Sequence, residues 1–118
     1  MKGYRNLEVW KDGCNLAKEV YQATDGMRDF GLRNQVTRAA VSIASNIAEG
    51  SERESQIEFI RFLRIAKASC EECRTQLYIA NLVGYMPQDR FSEIDKLAHS
   101  VSKRIGALIK YLKSRLNQ

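Results

Sequence analysis

Apolar and polar positions along the chain alternate with helical spacing almost from end to end, and the pattern breaks at only a few places. In the first segment Leu7, Trp10, Cys14, Ala17, Tyr21 and Thr24 recur at three- and four-residue steps. Asn6 precedes them as an N-cap candidate, and Asp25-Gly26 interrupts them. Leu32, Val36, Ala39, Ile43 and Ile47 form the stripe of a second segment. Glu49-Gly50 closes it, with Gly50 read as a left-handed C-terminal cap. Two overlapping capping boxes follow, Ser51-x-x-Glu54 and Ser55-x-x-Glu58, and either can open the third helix. That helix carries Ile60, Leu63, Ala66, Cys70, Cys73, Leu77 and Ala80 on one face and stops at Gly84. Proline at position 87 suits the start of a fourth helix, in which Ile94, Ala98, Val101, Ile105, Leu108 and Leu112 keep step without a slip. The pattern predicts helices over about 7–24, 32–49, 55–83 and 88–115. Four amphipathic helices with short connections make an all-α, antiparallel up-down-up-down four-helix bundle occupying residues 1–118 as one domain.

Composition narrows the function classes without naming one. The 118 residues are 44% hydrophobic, enough for a core, and 28% charged, with a formal net charge of +5. Nothing approaches the ~18 continuous apolar residues of a membrane span, and the start MKGYRNLEVW lacks the apolar run of a secretory signal. Three cysteines without an export signal point to free thiols in a reducing cytoplasm.

Candidate chemistry is sparse. Ser51 and Arg53, with the free N–H groups opening the third helix, can hold an anion, but the glycines and lysine of a phosphate loop are missing. Ordinary capping beside a solvated arginine accounts for them. Cys70-Glu-Glu-Cys73 has the spacing of redox and zinc sites, yet a zinc site needs about four ligands, and only Cys14 and the single His99 remain. Both cysteines also lie in mid-helix on the apolar stripe, where free cysteine packs as a small hydrophobe. His99 has no nucleophile at a suggestive spacing. No catalytic residue, metal ligand or cofactor site is predicted, and a non-enzymatic protein is expected.

Two surface patterns stand out. Arg38, Ser42, Ser45 and Glu49, with Asn46 beside Ser42, form a narrow polar stripe on a second helix that is otherwise apolar almost all round. A helix facing water broadly carries more charge, so a second cover is expected over Ala40, Ala44 and Ala48. The stripe either satisfies neighbouring side chains or lines a seam or pocket, and a subunit interface is the reading taken. The other pattern is electrostatic. Lys96, Lys103, Arg104, Lys110, Lys113 and Arg115 follow one another after position 95 with no acidic residue among them, and Lys96, Lys103 and Lys110 sit seven apart. Lys110, Lys113 and Arg115 also suit the helix macrodipole. With Arg61 and Arg64 of the third helix, this array is either a solvated surface or a set of nucleic-acid phosphate contacts.

With these residues placed, the chain resembles the bacterial four-helix bundle proteins first noted as open reading frames within intervening sequences of large-subunit ribosomal RNA genes. The likeness rests on Leu7-Glu-Val-Trp10 with Tyr21, Gly31-Leu32-x-x-Gln35, and Arg38-Ala39-Ala40-Val41-Ser42-Ile43 running into Ser45-Asn46-Ile47-Ala48-Glu49-Gly50. It continues through Phe59-x-x-Phe62-Leu63-x-Ile65-Ala66 and Leu82-x-Gly84-Tyr85. One departure is Lys67-Ala68-Ser69, where the family commonly has glycine before the serine. The resemblance implies antiparallel bundles assembled as ring-shaped homopentamers. It also implies kinship with the accessory protein of diversity-generating retroelements, a basic pentamer that binds a reverse transcriptase and nucleic acid. It brings no catalytic residues. The sequence thus leads to a homo-oligomeric helical protein binding RNA or a ribonucleoprotein, with a protein-interaction scaffold lacking any nucleic-acid role as the alternative.

Overall fold

A computed structural model describes residues 3–116. A single 3₁₀ turn at Tyr4–Asn6 leads into four helices: α1 (Glu8–Ala23), α2 (Phe30–Ser51), α3 (Gln56–Leu82) and α4 (Gln88–Leu116). Each helix packs on its sequence neighbour and α4 returns to α1, whereas the backbones of α1 and α3, like those of α2 and α4, come no closer than 8 Å between Cα atoms across the diagonal. The result is a closed up-down-up-down bundle measuring 50 × 21 × 20 Å, the architecture that helical periodicity with short connections demands.

The core stripes of α3 and α4 are as expected: Leu63, Cys70, Leu77, Ala98 and Ile105 are fully enclosed, and Leu108 is half-buried. On α2 the buried set is broader than one stripe, with Thr37, Ala40, Ala44 and Gly50 joining Val36, Ala39, Ile43 and Ile47. The stripe assigned to α1 is rotated from the true one. Val9, Gly13, Leu16 and Val20 face the core, while Trp10, Cys14 and Ala17 are half-buried and Tyr21 is exposed. Branched aliphatic side chains fill the narrow bundle interior better than tryptophan or tyrosine, whose polar edges stay near water.

Two helix termini differ from the expected ones. Leu7, not Asn6, holds the N-cap position of α1, and Asn6 lies in the preceding 3₁₀ turn. Gly50 lies inside α2, which continues to Ser51 and ends at Glu52 in right-handed geometry. Its glycine is required by packing: a Cβ there would stand 2.5 Å from Phe62 Cβ and 3.0 Å from Phe59 Cδ1. Of the two capping boxes only the second is used. Ser55 Oγ accepts from the Glu58 N–H at 3.0 Å, whereas Ser51 Oγ donates back to the Ala48 carbonyl at 2.9 Å. At the other end of α3, Gly84 adopts φ +84°. There the Tyr85 N–H reaches the Ala80 carbonyl and the Gly84 N–H the Asn81 carbonyl. That pair of bonds is the Schellman closure, which a residue with a Cβ adopts only under strain.

Candidate interaction surfaces

The predicted polar stripe crowns α2 and divides between two neighbours. On the side toward α3, Ser42 Oγ lies 2.9 Å from Ser69 Oγ, and the Asn46 amide donates to both the Ser42 carbonyl and Ser42 Oγ. Ser42 therefore ties α2 to α3, and Asn46 holds the Ser42 hydroxyl from within α2, a structural use of the polarity. Ala68, at the place where the family commonly has glycine, is exposed, so its methyl group disturbs nothing beside this contact. Arg38, Ser45 and Glu49 remain exposed along the crest of α2.

On the side toward α1 the crest borders a long groove built from three contiguous depressions. The first is lined by Tyr21, Thr37, Arg38, Val41, Ser42 and Ser45. The central one is lined by Trp10, Cys14, Ala17, Val41, Ala44 and Ala48, and the last by Tyr4, Ala48, Glu49, Glu52 and Arg53. Val41 and Ser45 join the first to the second, and Tyr4 and Ala48 join the second to the third. The Tyr4 and Trp10 rings pack edge to face with centroids 5.2 Å apart and wall one flank. Burial raises the Cys14 thiol pKa above its ordinary value, as a desolvated thiol requires. The α2 wall of this groove falls on the side where the sequence pattern expects a cover, at Arg38, Ala44, Ser45, Ala48 and Glu49, whereas Trp10, Cys14, Ala17 and Tyr21 of its α1 wall are expected from the pattern in the core. The available signal was that α1 bears two apolar faces at once, more than one bundle contact consumes.

The second surface is α4. Lys96, Lys103 and Arg104 meet around one shallow depression with His99, Ser100 and Ala107, and Lys110 lies one heptad beyond Lys103, exposed. Arg104 also donates to Asp12 of α1. Arg61 stands apart: its guanidinium binds Glu58 at 3.1 Å and lies over the Phe62 ring, which Arg53 flanks at 4.7 Å. That hydrogen bond, reinforced by the positive charge, holds the Glu58 carboxyl below its usual pKa. Arg64 is exposed on α3. The structure thus gathers three of the six predicted phosphate contacts in one depression and continues them with Lys110. It leaves Arg61 in a local network at the start of α3.

A third feature lay outside the sequence reading. Arg74 of α3 clasps Asp95 of α4 with two hydrogen bonds of 2.8 and 3.2 Å, reaches Glu71 at 3.3 Å, and lies 3.2 Å from His99 Nδ1. The hydrogen bond to Asp95 raises the Arg74 pKa further above its already high value. The i,i+3 spacing of Glu71 and Arg74 is visible in the chain, but their partner Asp95 comes from another helix. Cys70 and Cys73 are enclosed, and burial pushes their thiols up to about 11 and about 12. The Cys70 thiol donates to the Ala98 carbonyl. Among the described residues, no group of three or more His, Cys, Asp or Glu is placed to hold a metal ion, and no helix is long and apolar enough to cross a membrane.

An all-α four-helix bundle with an apolar groove on one flank and a cationic helix on another is the class that fold and surfaces define. The chain belongs to the 23S rRNA-intervening sequence protein family, which it matches over residues 5–107. The bundle is also similar to a crystal structure of a protein of unknown function of the S23 ribosomal protein family from Bacteroides thetaiotaomicron. The TM-score is 0.82 at 22% identity, covering 86% of this chain and 98% of the other. No curated protein matches this chain.

Proposed function

We propose that the chain is a non-enzymatic RNA-binding subunit, with α4 meeting the RNA and the α1–α2 groove meeting a second copy. The observation that carries the RNA reading is the row Lys96, Lys103 and Lys110, exposed along a helix that has no acidic side chain after Asp95. Lysines in such a row bind phosphates by releasing counterions, without reading sequence. The kinship that the sequence resemblance implies, with a basic accessory protein that binds nucleic acid, supports a nucleic acid as the polyanion. A non-enzymatic role agrees with the state of the reactive groups: Cys70 and Cys73 are enclosed with raised pKa values, and His99 lies against Arg74. The free thiols suit a reducing compartment such as the cytoplasm.

Fluorescence anisotropy with a labelled RNA, titrated across salt concentrations, tests the reading. The wild type is expected to lose affinity steeply with salt. Replacing Lys96, Lys103 and Lys110 together by glutamine should lower the logarithmic slope by roughly 2–3, close to one for each lysine removed. A flat salt response of the wild type overturns it.

The apolar centre of the groove favours a second reading, an interaction scaffold in which the lysines serve solubility. Pull-down before and after nuclease treatment separates the two, because a scaffold retains its protein partners after digestion.

A further inference from the structure

Resting on the assignment of α4 as a phosphate-binding face, we propose that this face takes a double helix, gripping the backbones on either side of one groove, and discriminates against single strands. Lys96, Lys103 and Lys110 alternate with Ser100, Ala107 and Ser114, which also repeat every seven residues, and all six are exposed. At ~1.5 Å rise per residue, successive lysines stand ~10.5 Å apart and the outer two ~21 Å apart. An A-form RNA duplex presents its two backbones on either side of a wide, shallow minor groove, and a flexible lysine stem lets neighbouring cations of the row reach both. The intervening side chains are small, so the helix can lie close over the shallow groove between the two backbones.

The row is also rigid. Its opposite face buries Ile94, Ala98, Val101, Ile105 and Leu112 along nearly the whole helix, which fixes the spacing of the points from which the lysine stems reach out. A fixed spacing rewards a partner whose phosphates are themselves fixed, and a single strand offers no such regularity. Single strands gain instead from bases stacking on aromatic rings. Along this face His99 lies against Arg74. Arg115 lies over the half-exposed ring of Tyr111, 5.7 Å from its centroid, and donates to the Tyr111 hydroxyl at 2.9 Å. Each ring on this face already has an arginine beside it, and the cations of the row itself are point charges with no ring among them.

The experiment compares, at one salt concentration, a mixed-sequence 20-base-pair RNA duplex with each of its strands alone, using the full chain. The duplex is expected to bind at least about tenfold more tightly, more than its higher charge density supplies to a dispersed cation set. Two variants separate geometry from bulk charge. K103Q, in the middle of the row, should weaken duplex binding several-fold, whereas K113Q, which removes the same charge from the same helix off the row, should change it much less. Ala107→Trp, at an exposed position, should obstruct the duplex while giving single strands a ring to stack on, so the two ligands move in opposite directions. Single strands binding as tightly as the duplex, K103Q and K113Q acting alike, or Ala107→Trp moving both ligands the same way overturns the proposal and leaves RNA binding standing. Binding of neither ligand overturns both.

Discussion

Replacing Gly50 by alanine would place a methyl carbon 2.5 Å from Phe62 Cβ, a backbone-proximal atom that cannot swing away. The expected outcome is a loss of about 1–3 kcal/mol, the usual cost of overpacking, seen as a melting temperature lowered by several degrees. Removing that atom as well, with Phe62→Gly, should make the added cost of Gly50→Ala largely disappear; full additivity in this double-mutant cycle would refute the packing account. Gly84→Ala tests a different cause, since nothing lies within 4 Å of its position but φ is +84°. Its cost of about 1 kcal/mol should not change when neighbours are trimmed. From the chain alone the two glycines look alike, each closing an apolar pattern. Local turn chemistry describes Gly84 fully, while the reason for Gly50 sits on another helix. The same limit explains Ser42 and Asn46: their polarity was legible, but the hydrogen bond to Ser69 that absorbs it was not.

At the scale of elements, periodicity located all four helices to within about two residues at each end, because each core stripe is long and regular. It chose the wrong face of α1, where two helical stripes compete and only the shape of the bundle interior decides between them. Chemical reactivity can verify the rotation. Cys14 is half-buried and should be alkylated by iodoacetamide in the native protein, while Cys70 and Cys73 should react only on unfolding. Equal rates at all three would contradict the packing of α3. The pH dependence follows from the same burial. In the folded protein the Cys70 and Cys73 pKa values are raised, to about 11 and about 12, so the native state holds these protons more tightly than the unfolded chain. Their contribution is fully present below the unfolded thiol pKa and is lost as pH rises through the folded values. Stability measured by urea unfolding should therefore decline above about pH 9. In Cys73→Val the alkaline part of that decline should be smaller; an unchanged alkaline profile would show that other groups account for it.

For the whole molecule, the arrangement of faces matters more than any one residue. An apolar groove flanked by Arg38, Ser45 and Glu49 is the surface expected to close on a second copy, and Val41 lies across two of its depressions. Size-exclusion chromatography with light scattering should give a mass well above the 13.5 kDa of one chain. Val41→Glu, exposed in the single chain, should shift the mass toward that value without loss of helicity. A wild-type mass of 13.5 kDa would overturn the two-sided use of α2. The cationic helix lies diagonally across the bundle from α2, with no Cα of one within 8 Å of the other. In an assembly closed through the groove, each added copy would contribute +5 to the particle, and that self-repulsion grows with copy number. Added salt would then favour assembly while weakening the hold on RNA, giving the two events opposite ionic-strength signatures. A bound polyanion would relieve the same repulsion, so RNA would act as the counterion of the assembly, and by linkage each event would promote the other.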